Sequence, residues 1–322
     1  MSVVVVGEAL VDLTADEGDP TRFTAHPGGS PANVAVTLAR LGTPVRFAGR
    51  LARDGFGRLL RAHLTGNGVD LSLCVDAAEP AGLAVVTRAA DGHAEYAFHV
   101  TGTADWQWKT AELPHDLDAD TLAIHTGSLA LALAPGGPAI AVWLAEQRRA
   151  GRVISLDPNV RPAVLHDPRW YRPRLESWAG RSDIVKASVE DLAWVYPGED
   201  PDGVALRWSV RGSALVVITH GAAGVDAVVD GQIVRRPARP ATVADTVGAG
   251  DAVSGALLDW LARHDRLSRA ALAAITPSEM ATALDFAAEV AAVTVSRPGA
   301  DPPHRDELGV AVTGSAESAG LA

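Results

Sequence analysis

The apolar positions of this chain fall into two alternating rhythms. Short, nearly unbroken apolar runs at residues 3–7, 122–126, 152–157, 183–186 and 215–219 have the length of strands buried on both faces. Between them, residues 31–41, 55–67, 138–150 and 189–196 space their apolar side chains as helices do. Strands alternating with helices predict right-handed crossovers and a mostly parallel sheet covered on both faces, an α/β three-layer sandwich.

Two stretches break the alternation. Residues 11–24 set the polar turn Asp16-Glu17-Gly18-Asp19-Pro20 between β-prone arms, and residues 82–100 set Asp91-Gly92 between alternating runs, a hairpin signal. Together they predict a small antiparallel sheet, built from about 11–25 and 82–100, lying over one edge of the main domain as a lid. Tyr96, Phe98 and Val100 share one of its faces by strand alternation. A further hairpin is expected at 225–234 around Asp230-Gly231, and residues 277–295 read as a closing helix leading into a last strand. The spacing predicts one domain over 1–305 and a small, polar, disordered tail over 306–322.

Composition narrows the classes. With 322 residues, 48% of them apolar, the chain can build one large core. No apolar run approaches the length of a membrane span, and the opening Met1-Ser2-Val3-Val4-Val5-Val6-Gly7 lacks the basic residues and cleavage site of a signal peptide. A cytoplasmic protein is expected. A net charge of −11 argues against nucleic acid or an acidic membrane as partner, so any phosphate must be held by a local site. The lone cysteine, Cys74, excludes an internal disulfide. The chain has neither a Gly-x4-Gly-Lys-Ser/Thr run nor zinc-ligand spacing, and its first strand runs into Glu8-Ala9-Leu10-Val11-Asp12 instead of a dinucleotide fingerprint. That excludes a Walker-type loop, a zinc site and an NAD-dependent dehydrogenase.

The stretch Asp245-Thr246-Val247-Gly248-Ala249-Gly250-Asp251-Ala252 carries the most chemistry. Ala252, Val253, Ala256, Leu257, Trp260 and Leu261 follow with helical spacing, which puts the amides of Gly248, Ala249 and Gly250 at a helix N-terminus that attracts anions. Asp251 would repel the charge that such a site collects. It makes sense there if it takes a proton from a hydroxyl about to attack a bound phosphoryl group. Taken alone, the stretch reads better as a glycine-rich turn with a capping aspartate.

Three further constellations surround it. In Gly28-Gly29-Ser30-Pro31-Ala32-Asn33, Ser30 reads as an N-cap and Pro31 suits the first helical position. The two glycines, with Asn33 and with Asp12 just past the first strand, suit a polyhydroxylated ligand or, equally, a plain turn. Thr219-His220-Gly221-Ala222-Ala223-Gly224 offers a floor for a nucleotide. Asp157-Pro158-Asn159-Val160-Arg161-Pro162 aims Arg161 at phosphate or substrate, with Asp157 either a site residue or a hydrogen-bond anchor.

With these signatures the chain resembles the PfkB-type carbohydrate kinases of the ribokinase-like superfamily, from its first strand to about Gly299. Gly7-Glu8-Ala9-Leu10-Val11-Asp12, the Gly28–Asn33 run, the Asp157–Pro162 run and Gly127-Ser128-Leu129-Ala130-Leu131 resemble those of bacterial fructokinases within it. The resemblance implies a ribokinase-like fold with a β lid and ATP-dependent phosphorylation of a primary hydroxyl of a neutral ketohexose, fructose first. It implies Asp251 as general base and Gly248, Ala249 and Gly250 as the anion hole. The sugar would be held by Asp12, Gly28, Gly29, Asn33, Phe98 and Arg161, and ATP by Ser188, Thr219, Gly221 and Gly224 with Gly248 and Gly250. A potassium-type cation would sit at Asp245, Val247, Thr294 and Gly299. The family's Asn-x-x-Glu reads Ser188-Val189-Glu190-Asp191 here, so Ser188 and Asp191 stand in for it near Mg2+.

Pairing of lids in a homodimer is a further implication. The competing readings are a 2-keto-3-deoxygluconate kinase, a nucleoside kinase of the same superfamily, and a sugar- or nucleotide-binding regulator without turnover. Kinases of the sugar acid carry a lid arginine that Tyr96-Ala97-Phe98-His99-Val100-Thr101-Gly102 lacks, which favours fructose. An intact Asp251 argues against the regulator.

Overall fold

The computed structural model describes residues 1–16, 18–88 and 94–309. The chain opens with β1 (Ser2–Val6), β2 (Leu10–Asp16), β3 (Asp19–Gly28), α1 (Ser30–Arg40), β4 (Val45–Ala48), β5 (Arg50–Ala52) and α2 (Gly55–Gly66). β6 (Val75–Ala77), β7 (Leu83–Arg88) and β8 (Ala94–His99) follow. Then come β9 (Thr121–Gly127), α3 (Gly136–Arg149), β10 (Val153–Asp157), α4 (Pro162–Leu165), α5 (Pro168–Ala179), β11 (Ile184–Ser188), α6 (Val189–Val195), α7 (Pro201–Val210) and β12 (Leu215–Thr219). β13 (Val225–Val229), β14 (Gln232–Arg236), α8 (Ala249–Arg263), α9 (Arg269–Ala273) and α10 (Pro277–Val295) complete it.

Eight strands form the central sheet in the order β14-β13-β12-β11-β10-β9-β1-β4, parallel except for β13 and β14. All five expected strands lie in it, and the hairpin around Asp230-Gly231 supplies its antiparallel edge. Alternation along the strands serves both faces. Val4, Val6, Ile154, Leu156 and Val216 pack under Trp143, Tyr171, Leu175 and Trp208 of α3, α5 and α7. Val3, Val5, Val153, Ile184 and Val217 pack under Val34, Leu38, Leu257, Leu261 and Leu284 of α1, α8 and α10. A one-residue slip would exchange the two sets, so the double burial pins the register. No helix among the described residues is long and apolar enough to cross a membrane.

On the face beneath α1 and α8, polarity rises toward the carboxyl ends of the strands. β10 runs Val153, Ser155, Asp157, and β11 runs Ile184, Lys186, Ser188. His125 on β9 pairs with Ser155 across 3.0 Å. Burial, with Lys186 nearby, pushes His125 down to about 3, so it sits there neutral. The apolar end makes the core and the polar end makes a site.

The second sheet has the order β3-β2-β7-β8. It consists of two antiparallel pairs, β2–β3 and β7–β8, joined by a parallel pairing of β2 with β7. Both pairs leave the body at the same place and in the same direction, so their first arms run side by side. The Asp91-Gly92 turn lies outside the described residues.

Some expectations need correction. Residues 277–295 form one continuous helix with a Thr276–Glu279 capping box, and no strand follows it among the described residues. Six alanines in that helix keep it going to Val295, where a last strand was expected to take over. The expected tail begins as ordered structure: Leu308 packs against the α8–α10 cluster, and Arg297 binds Glu307 across 2.6 Å. Residues 310–322 lie outside the described residues. Strand β4 and helices α5 and α7 were not anticipated.

The contact that sets the site is the crossing of α1 and α8. A Cβ on Gly255 would stand 2.6 Å and 2.7 Å from the Cβ and Cγ2 of Thr37, closer than carbon atoms pack. Gly255→Ala is therefore expected to push the helices apart and to destabilise the protein by about 1–3 kcal/mol. Urea denaturation measures this, and an unchanged midpoint would show that the crossing relaxes freely.

Candidate active site

The start of α8 is fixed by its own loop. Asp245 accepts the Val247 amide through Oδ1 at 3.0 Å and the Gly299 amide through Oδ2 at 2.9 Å. Gly248 caps the helix with φ +77°, and a Cβ there would stand 2.5 Å from that of Ala300, so glycine alone fits. The Gly248, Gly250 and Asp251 amides have no acceptor among the described residues. The Ala249 amide, expected to belong with them, instead reaches the Thr246 carbonyl at 3.3 Å.

Asp251 lies in the first turn of α8 with only 6% of its surface exposed. Ser30 Oγ donates to its Oδ1 at 2.7 Å, Asn33 Nδ2 donates to its Oδ2 at 2.8 Å, and Asn159 Nδ2 approaches Oδ1 at 3.4 Å. Ser30 is thus not the expected cap. Gly29 occupies the cap position without a side-chain bond, and the serine hydroxyl spans to α8. Burial raises the Asp251 pKa above the usual carboxylate range and Asp157 adds to the rise, while Ser30, Asn33 and Lys186 oppose it.

Lys186 is the residue that the sequence reading passed over. Its Nζ donates to Asp157 Oδ2 at 2.8 Å, and a Cβ on Gly250 would stand 2.7 Å from it. Burial works against the ammonium, but Asp157, Asp191 and Asp251 outweigh it and hold the pKa above its ordinary value. Asp157 is the anchor of this cluster. It also accepts from Ser254 at 3.1 Å and from the Asn159 amide at 3.2 Å.

On the side of β2 and β3, Gly28 packs directly against the Asp12 carboxylate, and Gly29 stands over the Glu8 carbonyl. Burial pushes Asp12 up to about 6, with Arg161 opposing and Asp251 adding. Arg161 donates to Asn159 Oδ1 at 2.6 Å, which links it through Asn159 to Asp251. Phe98 lies in one cross-strand row with Ala84 and Asp12. It is half-buried in a cleft of about 320 Å³ that it shares with Val100, Trp106, Leu133, Val164 and His166. Tyr96 stacks on Phe98 with ring centres 6.2 Å apart and is 47% exposed, so the aromatic face is graded from open to closed.

On the other side, Ser188 and Thr219 are register partners at the ends of β11 and β12. Gly221, with open space around it, and Gly224 shape the turn that follows, closed by the His220 amide on the Gly224 carbonyl at 2.8 Å. Ser188 and Asp191 form the capping box of α6. Asp191 also accepts the Val160 amide at 2.7 Å, so both of its oxygens already carry a donor. Thr294 is fully buried and its hydroxyl donates to the Val290 carbonyl within α10, whereas Asp245, Val247 and Gly299 are brought together by the bonds given above. A larger cleft of about 500 Å³, lined by Arg148, Arg149, Arg181 and Arg269, holds none of these residues.

Asn159 and Lys186 were not singled out from sequence, and Ser30 was read only as a helix cap. A lysine inside an otherwise apolar strand run was the available signal for one of them.

Open amides at a helix end and a buried carboxylate in the same turn suit the transfer of a phosphoryl group to a hydroxyl, the chemistry of a phosphotransferase with an alcohol acceptor. The description pfkB family carbohydrate kinase matches residues 1–307, and the chain belongs to that family. It is 37% identical over 275 residues to a fructokinase of Rhizobium leguminosarum bv. trifolii, covering 85% of this chain and 83% of that protein. A Xylella fastidiosa fructokinase with bound ATP superposes with TM-score 0.86 at 30% identity, covering 92% and 93% of the two chains. A Vibrio cholerae O395 fructokinase with fructose, ADP and calcium ion superposes with TM-score 0.80 at 29% identity, covering 93% and 94%.

Lys186→Met should leave Asp157 buried without its counter-charge and destabilise the fold by about 3–5 kcal/mol. Adding Asp157→Asn should recover most of that loss. Denaturation of both variants reads the difference; equal midpoints for the single and double variants would show that the pair is not coupled.

Proposed function

We propose that this enzyme transfers the γ-phosphoryl group of ATP to a primary hydroxyl of fructose, with Asp251 as general base. The observation that carries the reading is the placement of Asp251, buried and hydrogen-bonded by Ser30 and Asn33 in the same helical turn whose Gly248 and Gly250 amides stand open. Bases of this kind act late, when the attacking hydroxyl becomes acidic. The open amides and Lys186 stabilise charge on the transferring group. A raised Asp251 pKa makes the carboxylate a better proton acceptor than a free aspartate.

Fructose is favoured over a sugar acid by the charge around Arg161. The carboxyl groups of Asp12 and Glu8 already share the field of that guanidinium, so a carboxylate substrate would compete with them for it. The fructokinases of similar sequence and fold, one with fructose bound, support the same choice. The small sheet acts as a lid that brings Phe98 over the sugar and excludes water. Thr219, Gly221 and Gly224 line the nucleotide. Mg2+ would enter on the phosphates, neutralising their charge, with Asp191 reaching it through water because both of its oxygens already hold amides. A monovalent cation at the Asp245 loop would be held by backbone carbonyls of Val247 and Gly299, Thr294 having turned its hydroxyl inward.

Two measurements test this. Asp251→Asn should lower kcat by about two to four orders of magnitude and leave the KM values for ATP and fructose within a few-fold. Turnover close to wild type would remove Asp251 from the base role. ADP release with a panel of fructose, ribose, 2-keto-3-deoxygluconate and a nucleoside should give fructose the highest kcat/KM, about tenfold or more above the acid. The acid leading by tenfold would overturn the substrate assignment.

A further inference from the structure

Two more carboxylates are buried away from Asp251, at the root of the second sheet. Asp105, 1% exposed, accepts the Ala9 amide through Oδ1 at 3.1 Å and the Gly82 amide through Oδ2 at 3.2 Å. Ala9 directly precedes β2 and Gly82 directly precedes β7. One carboxylate therefore grips both chain segments where they enter that sheet, and the Val11 amide on the Gly82 carbonyl at 3.1 Å ties them to each other. Beside it stands Glu8, 2% exposed, whose Oε2 is buried with no hydrogen-bond partner among the described residues. Glu8 links β1 to β2, and its backbone carbonyl is the floor beneath Gly29.

We propose that Asp105 and Glu8 are positioning residues for the acceptor sugar, Asp105 by clamping the two roots of the small sheet and Glu8 by fixing the backbone floor beneath Gly29 at the same root. The inference rests on the sugar-kinase reading above. Asp12 lies three residues beyond Ala9 on β2, Phe98 on the strand paired to β7, and Gly29 on the Glu8 carbonyl. A shift of the roots would therefore displace the acceptor contacts and leave the Gly248–Asp251 turn in place.

The pair also carries a proton balance. Burial pushes Glu8 up to about 7, with Ser128 and Arg161 opposing and Asp105 adding. Burial likewise pushes Asp105 up to about 7 against the Ala9 and Gly82 amides and the Thr103 hydroxyl. The other charges bordering this root are Asp12, which Arg161 also faces, and Arg50, whose Nε donates to the Ala104 carbonyl beside Asp105. Below about pH 7 at least one of the two carboxyls keeps its proton; above it two like charges face each other, with Arg161 and Arg50 the cations that border them. Because both folded pKa values are raised above ordinary ones, the stability they allow is full at low pH and falls as pH rises toward 7.

The test uses the full chain and whichever acceptor of the panel the wild type turns over best. Asp105→Asn puts an amide donor against one of the two root amides. It should raise the acceptor KM by about tenfold, with kcat and the ATP KM within threefold. In wild type the acceptor KM should climb between pH 6 and 8, and Glu8→Gln, a neutral isostere, should flatten that climb. Glu8→Gln should also flatten the fall of the urea midpoint between pH 5 and 7, a readout that needs no substrate. Equal losses in kcat and both KM values for Asp105→Asn, or a wild-type pH profile in Glu8→Gln, would overturn the proposal. If Asp105→Asn fails to fold, the two Glu8→Gln profiles decide. A wild type that uses none of the sugars would refute the kinase reading and with it the positioning role, while the midpoint profile would still show whether the two carboxyls share a proton.

Discussion

Asp251 is an ionisable group held out of water in the first turn of a helix, and each element touching it compensates for that burial. The free amides and dipole of α8 favour negative charge at this end. Ser30 and Asn33, both from the first turn of α1, supply short hydrogen bonds to its two oxygens. Lys186 reaches up from β11 with a buried positive charge. The compensation is incomplete, since Asp157 and the loss of water still raise its pKa. A carboxylate stabilised any further would be a weaker proton acceptor. The balance is chemical, and it is set by distances between helices.

Those distances trace back to one close approach and one gradient. Gly255 lets α8 lie against Thr37 of α1, one turn along from the pairs that join Asp251 to Ser30 and Asn33. A bulkier residue there would move two hydrogen bonds at once. The gradient runs along the strands, where β10 and β11 exchange valine and isoleucine for Ser155, Asp157 and Lys186 as they near their carboxyl ends. Packing at one end of the sheet thus holds ionic groups at the other within hydrogen-bonding distance, and Asp157 with Lys186 closes the floor under α8.

Much of this was legible in the sequence, for physical reasons that also explain what was not. The inner parallel strands are continuous apolar runs because both faces are covered, so their pattern is unmistakable. Strand β4 escaped notice because it is four residues long and carries Arg46, which turns out to Asp118 at the sheet edge. Helix α5 is broken in pattern by Arg169, Arg172, Pro173 and Arg174, and only Tyr171, Leu175 and Ala179 mark its buried side. In the site, glycines and Asp251 announce themselves by local spacing. Ser30 read as a cap because a serine before a helix usually is one; its partner lies 221 residues away. Lys186, Glu8 and Asp105 acquire meaning only through partners that the fold brings in from other strands.

The division of positive charge follows from the same arrangement. In the proposed reaction, Lys186 would serve the phosphoryl side and Arg161 the acceptor side. Neither is unengaged: Lys186 is bound to Asp157, and Arg161 faces Asp12 and Glu8 while donating to Asn159. A guanidinium with carboxyl groups already in its field can still direct hydrogen bonds to hydroxyl groups, which are neutral acceptors. It has little net attraction left for a substrate carboxylate, because each new anion must displace an existing one or share its field. On the phosphoryl side the open amides provide what the lysine cannot, a set of donors with no counter-anion of their own. On the proposed reading the site favours an uncharged acceptor and an anionic donor, and Asp251 would stand between them, linked by Asn159 to Arg161 and by its own helix turn to the open amides.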